Sequence, residues 1–226
     1  MTERLWGILK DSFPQMLEFG IKVTIPLTIL SFALALIVAL GVALVQYARV
    51  KGIRQICRFY IWITRGTPLL VRLYIVFYGL PKIGIVLDAF PSAVIVLGLN
   101  EAAYMAETIR GTLESVSAGQ LEAGYCVGMS WPKIMWHVVL PQALRTAFPA
   151  LSNSMIAMLK ETSMAATITV VELFRQAQVI NGRVYEPLAL YIEAAVIYLI
   201  FCTILTWLQH RGEKRLAAYG GKKACC

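Results

Sequence analysis

Nowhere in these 226 residues is there a glycine-rich, phosphate-cradling run of the Walker type, so the chain has no P-loop of its own. Histidine is almost absent: His137 and His210 stand far apart, without a second ligand at metal spacing. The five cysteines, Cys57, Cys126, Cys202, Cys225 and Cys226, form no C-x-x-C pattern, which argues against a redox pair. The vicinal Cys225 and Cys226 read as an unstructured tail. Charge is scarce as well, at 15% of residues, with 21 basic against 13 acidic. Met1 to Phe13 lacks the apolar core of a cleavable signal. The expectation is a chain that is not an enzyme and holds no cofactor or metal.

What is abundant is apolar surface. The chain is 58% hydrophobic with a mean hydropathy of +0.68, beyond the range of a soluble domain of this size. It reads as an all-α membrane protein with one transmembrane domain, 1–226. The net charge of +8 would suggest nucleic acid in a soluble protein. Here the basic residues cluster at the ends of apolar runs, which is a topology signal.

Five spans are expected, at about Gly20 to Gln46, Phe59 to Leu80, Ser92 to Thr112, Ala143 to Ala166 and Pro187 to Leu208. Met1 to Glu18 is amphipathic and is expected at the interface. Thr24-Ile25-Pro26 should kink the first span or mark its start, and Pro149 should break the fourth. Thr167 to Glu186 is too charged to span; Val170, Val171, Phe174 and Ala177 recur at helical spacing, predicting an amphipathic helix on the outer surface. It is either a gate or receiver for another protein, or a cover for the bundle end. The Lys and Arg count separates the two sides. One holds Arg49, Lys51, Arg54, Arg58, Arg110, Lys133, Arg145 and the basic tail, 209–226; the other holds Arg4, Lys10, Lys82, Arg175 and Arg183. The richer side is expected to be cytoplasmic, with the amino terminus outside and the carboxy terminus cytoplasmic.

The stretch about 113–140 lies between the third and fourth spans. Gln120 to Met129 reads as a short helix, followed by a break at Trp131-Pro132-Lys133. It cannot cross a membrane, because Glu122 and its polar neighbours are costly in hydrocarbon. A short exposed helix between two spans suggests a surface made for another protein.

Glu122-Ala123-Gly124, then Gly128, then Leu140-Pro141-Gln142-Ala143-Leu144-Arg145 resembles the EAA loop of bacterial ABC importer permeases of type I. Gly124 departs from the usual Ala and should loosen the helix by roughly 1 kcal/mol. Arg65-Gly66-Thr67-Pro68-Leu69-Leu70 is similar to that family's second-helix segment. There Thr67 can satisfy backbone groups freed by Pro68, and Arg65 either snorkels to the interface or serves the path. Arg72 either caps a buried carboxylate or lines the pathway. Asn100, Tyr104, Glu107, Arg110 and Gly111 match the third-helix pattern; Glu107 and Arg110 are spaced to pair. Leu159-Lys160-Glu161-Thr162-Ser163 is similar to the fourth-helix segment, with Glu161 for Asp.

The resemblance is to the polar amino-acid branch, with stretches nearest to cystine-type permeases. It implies a coupling helix at Glu122, Ala123, Gly124 and Gly128 that docks on a separate ATP-binding subunit, which holds ATP and magnesium. It implies an extracytoplasmic substrate-binding protein, a second permease copy or homologue, and residence in the bacterial cell membrane. Glu161 and Thr162 become candidate substrate contacts, with Asn100, Glu101 and Thr67 beside them. The plainer reading of Glu161 is a structural ion pair, and of Glu101 a partner for Arg65 or Arg72. A rival class is an ion-coupled secondary transporter using Glu101, Glu107 or Glu161; the lack of a detectable inverted repeat counts against it.

Overall fold

The computed structural model describes residues 2–221, with side chains for 3–216. Cys225 and Cys226 lie outside the described residues. Helix dominates. α1 (Thr2–Phe19) runs through a π turn at Gly20–Thr24 into α2 (Ile25–Tyr47), so that 3–47 is one unbroken helix. This corrects the expectation of a separate interfacial segment before Gly20. The π turn sits directly before Pro26, whose missing N–H would otherwise interrupt the ladder. α1 is also part of the bundle: Met16 is buried among Leu173, Ala177, Leu190 and Ile197. Gly20 allows that approach, since a β-carbon there would lie 2.8 Å from Phe201 Cε2.

The main seam pairs α2 with α5 (Ala89–Ser115). Its facing residues are small: Ala35, Ala39 and Ala43 against Ala102, Ala103 and Ala106, all fully buried. Small side chains let two helices in lipid approach closely, where dispersion and not hydrophobicity holds them. α3 (Ile53–Gly66) ends where Thr67 and Pro68 turn extended, and α4 (Leu69–Tyr74) resumes the course. The Thr67 hydroxyl donates to the Ile63 carbonyl at 2.8 Å, so the break does not strand that acceptor. A second π turn, Ile75–Gly79, and a 3-10 turn, Leu80–Ile83, close this segment.

α6 (Ala118–Cys126) follows α5 after a two-residue turn. α7 (Trp131–Ile134) then leads through a third π turn, Met135–Val139, into α8 (Leu140–Glu161). Two expectations are corrected here. Trp131-Pro132-Lys133 begins a helix instead of breaking one, because Pro132 sits in the first turn, where no amide donor is needed. Pro149 lies inside α8 without ending it; Pro149 and Arg145, the residue whose carbonyl loses its amide partner, are both exposed.

α8 passes into a 3-10 turn, Thr162–Ile168, that ends at Thr169 with φ +69°. α9 (Leu173–Val184) packs on α1 and α10 through Leu173, Gln176, Ala177 and Ile180. Its buried stripe differs from the expected one, as Val171 is exposed and Phe174 half-buried. α9 packs beside the first long helix, near its π turn at Gly20–Thr24. α10 (Pro187–Gly221) continues well past Leu208, so the expected basic tail is helical as far as it is described. Three helical stretches, 3–47, 89–115 and 187–216, are long and apolar enough to cross a membrane. The two other expected spans are broken or more polar.

Candidate functional site: a docking helix and a buried polar cluster

α6 owes its shape to two glycines. Gly124 is buried, and a β-carbon on it would stand 2.7 Å from Ile134 Cγ1. The departure from Ala thus has a packing reason beyond looser helix propensity: Ile134, itself fully buried, fills the space. Gly128 has φ +76°. Around it the Gly128 N–H donates to the Tyr125 carbonyl at 2.9 Å and the Met129 N–H to the Gly124 carbonyl at 3.0 Å. That is the Schellman closure, which favours glycine at the left-handed position. Glu122 and Ala123 are exposed, as are Tyr125 and Val127. A short rigid helix with an acidic and partly apolar free face fits a protein groove better than water.

The second assembly is polar and lies within the helix bundle. Arg72 of α4 donates from Nη2 to Asn100 Oδ1 on α5. Glu101, next along α5, is 7% exposed, lies beside Ser154 of α8, and has no Lys or Arg within 4.0 Å among the described residues. Glu161 at the end of α8 is close enough to feel the charges of Glu101, Arg72 and Lys160. Two atoms here are buried without a hydrogen-bond partner: Arg72 Nε, a donor, and Glu161 Oε2, an acceptor. Buried polar atoms are seldom left unpaired, and removal of one partner costs about 1–3 kcal/mol.

The structure therefore brings Asn100, Glu101 and Glu161 together and adds Arg72 and Ser154. Thr162 is placed elsewhere. It is fully buried, and its hydroxyl donates to the Leu159 carbonyl at 2.7 Å. Thr67 stands at the α3–α4 break with its hydroxyl committed to Ile63. Glu107 pairs with Arg110 at 2.9 Å, and Arg110 also meets Glu114 at 2.8 Å. Arg65 lies over the Tyr104 ring, 5.3 Å from its centroid. Ser154 carried no sequence signal, since a serine in a helix is as often a mere packing residue.

Two further carboxylates pin the bundle. Glu193, in α10, accepts from the Ser12 hydroxyl of α1. Glu172 caps α9, accepting from the Phe174 and Arg175 N–H groups at 2.9 and 2.7 Å and from the Tyr198 hydroxyl at 2.7 Å. The Leu173 N–H goes to Thr24 Oγ1 at 3.1 Å, so three amides of the first turn are satisfied. Burial pushes the Glu172 carboxyl above its ordinary range, although those donors pull the other way.

Residues 32–218 match the family of binding-protein-dependent transport system inner membrane components. The chain belongs to this family: it is a type I ABC importer permease subunit, and in such importers ATP is hydrolysed by a separate subunit. Membership sets aside the ion-coupled secondary transporter. The L-cystine transport system permease protein TcyB of Bacillus subtilis (strain 168) is 48% identical over 218 residues, covering 96% of this chain and 93% of TcyB. The arginine transport system permease protein ArtQ of the same organism is 33% identical, covering 90% and 93%. Among solved structures, the crystal structure of an amino acid ABC transporter with histidines matches with a TM-score of 0.82 at 35% identity, over 89% of this chain and 94% of that one. The MetNI methionine ABC transporter, at 18% identity and a TM-score of 0.76 over 89% and 96%, shares the fold.

Proposed function

We propose that this permease carries amino acids inward, L-cystine among them, and that the cluster of Arg72, Asn100, Glu101 and Glu161 receives the zwitterionic head. The observation that carries this reading is the pair of unpartnered buried atoms of opposite character, Arg72 Nε and Glu161 Oε2. An α-carboxylate supplies what the guanidinium lacks, and an α-ammonium supplies what the carboxylate lacks. The 48% identity to TcyB supports cystine in particular. Thr67 and Thr162 serve the path by shaping the helix ends on either side of the cluster.

In this reading the face of α6 that bears Glu122 and Ala123, held by Gly124 and Gly128, docks on the ATP-binding subunit, and an extracytoplasmic binding protein delivers substrate. A second permease, a copy or a homologue, completes the path. The membrane is crossed five times, by the three long apolar helices, the broken α3–α4 segment and α8. The distribution of Lys and Arg supports a cytoplasmic α6 and carboxy terminus with the amino terminus outside.

The test is uptake of L-cystine into proteoliposomes holding the permease and its ATPase, with the binding protein supplied on the side opposite α6. Saturable uptake that needs ATP is expected. Uptake of other amino acids with cystine excluded would overturn the cystine assignment. Orientation has its own check, because Cys126 is exposed at the end of α6. A variant keeping that cysteine alone should react with an impermeant maleimide in inside-out vesicles and resist it in intact cells; the reverse pattern would refute the topology.

A further inference from the structure

The basic residues that set the topology do more than lie on one side. Arg49, Arg54, Arg58 and Arg110 of that set, joined by Arg65, line one cavity of about 600 Å³ between the end of α2, α3 and α5. It opens at the same end of the bundle as α6, since Glu114 in its wall lies four residues before Ala118. The positive-inside rule asks only that charges stay on one side of the membrane. It does not require them to converge.

The convergence is built into α3. At 100° per residue, Arg54, Arg58 and Arg65 fall within an arc of about 40°, all lining the cavity. Ile56, Phe59 and Ile63 occupy the opposite face and are 69%, 60% and 44% exposed, as a lipid-facing surface would be. Arg49 enters from the turn after α2 with φ +54°, a conformation that residues with side chains rarely adopt. The two carboxylates in the wall, Glu107 and Glu114, both hold Arg110. None of Arg49, Arg54, Arg58 or Arg65 has a carboxylate within 4.0 Å among the described residues. Arg54 Nε is buried with no partner at all. Four arginines beside one carboxylate-bound arginine concentrate positive charge on this wall, and an anion bound there would relieve their mutual repulsion.

We infer that this cavity binds a phosphate-bearing anion, held by Arg54 and Arg58 with Arg49 and Arg65 at its rim. The planar guanidinium fork matches phosphate oxygens two at a time. Basic pockets between membrane helices near the headgroup level are suited to anionic phospholipids. The apolar face of α3 next to the arginines offers a surface for the acyl chains, and Trp62, 70% exposed, stands in the wall between them. The same chemistry would accept a soluble phosphate, and the two sources separate experimentally. Because the site lies within a few residues of α6, the bound anion also fixes how α5 delivers that helix to its partner.

The experiment uses the assembled permease and ATPase in nanodiscs of neutral phosphatidylcholine with a graded fraction of phosphatidylglycerol. Native mass spectrometry counts retained lipid, and ATP turnover is followed in parallel. Retained phosphatidylglycerol at about one per permease is expected, falling at least tenfold in Arg54→Gln/Arg58→Gln and unchanged in Lys51→Gln, which lies outside the cavity wall. Arg54→Lys/Arg58→Lys keeps the charge without the fork and should fall between them; it stands in if the glutamine variant does not assemble. If inorganic phosphate in neutral nanodiscs binds with the same dependence on Arg54 and Arg58 and displaces the lipid, the anion site holds and its source is soluble. Equal lipid retention in wild type and both double variants, with no phosphate binding, would overturn the inference.

Discussion

The Ile134 side chain fills the space a β-carbon on Gly124 would need, 2.7 Å from its Cγ1, packing α6 closely against the helix that starts at Trp131. Ile134 is fully buried and β-branched, so it cannot swing aside cheaply. Gly124→Ala should therefore lose about 1–3 kcal/mol to overpacking, against about 1 kcal/mol regained in helix propensity. The expected result is weaker retention of the ATPase during purification. Combining it with Ile134→Ala should cost less than the two single changes added together, and simple additivity would show that the contact does not matter.

Gly128 gives a second handle on the same helix. Its φ of +76° makes Gly128→Ala cost about 1–2 kcal/mol, while Gly128→Asn should cost less because asparagine tolerates the left-handed region. Substrate-stimulated ATP turnover, measured with equal amounts of assembled complex, should rank wild type, asparagine variant, alanine variant. The opposite order of the two variants would contradict the Schellman reading.

Arg72 and Glu161 predict different losses of discrimination. Wild type should prefer an amino acid to both its decarboxylated amine and its deaminated acid. Arg72→Gln should erase the first preference, and Glu161→Gln the second, each by tenfold or more in competition for uptake. A uniform loss for all three ligands would place these residues in scaffolding.

Glu172 predicts a pH effect with a fixed sign. Its folded carboxyl binds a proton more tightly than the unfolded one. Stability from this group is therefore present at acid pH and declines as pH rises from the ordinary glutamate range through the raised folded value. Glu172→Gln does not titrate, so the variant's Tm minus that of wild type should climb through this window and level off above it. A flat difference would show that the Phe174, Arg175 and Tyr198 donors cancel the burial.

Much of the site was legible because its chemistry is local. Gly66-Thr67-Pro68 marked the helix break, Glu107 and Arg110 were spaced to pair, and the polar α6 could not be a span. Distance along the chain hid the rest. Arg72 and Asn100 meet across 28 residues, and Ser12 and Glu193 across 181, with no periodicity to join them. Pro149 misled because a proline in an exposed stretch of a long helix strands little. Thr162 and Glu161 are neighbours in sequence, yet Glu161 turns toward the polar cluster while Thr162 turns into the packed interior. Arg54 and Arg58 mark sidedness in the sequence and Arg65 an interface or path residue, and only the fold shows that they share a cavity.

From Trp131 to Glu161 the chain is helical throughout, through one π turn, about 45 Å at 1.5 Å per residue, with α6 just before one end and a polar-cluster carboxylate at the other. A rod converts small angles into travel. Pivoting it by about 5° at the α6 end would carry Glu161 about 4 Å, the span over which a charged contact is made or lost. With α6 docked on the ATP-binding subunit as proposed, continuity through Pro132, Pro141 and Pro149 would give a small rotation at that end enough leverage to shift Glu161 within its cluster.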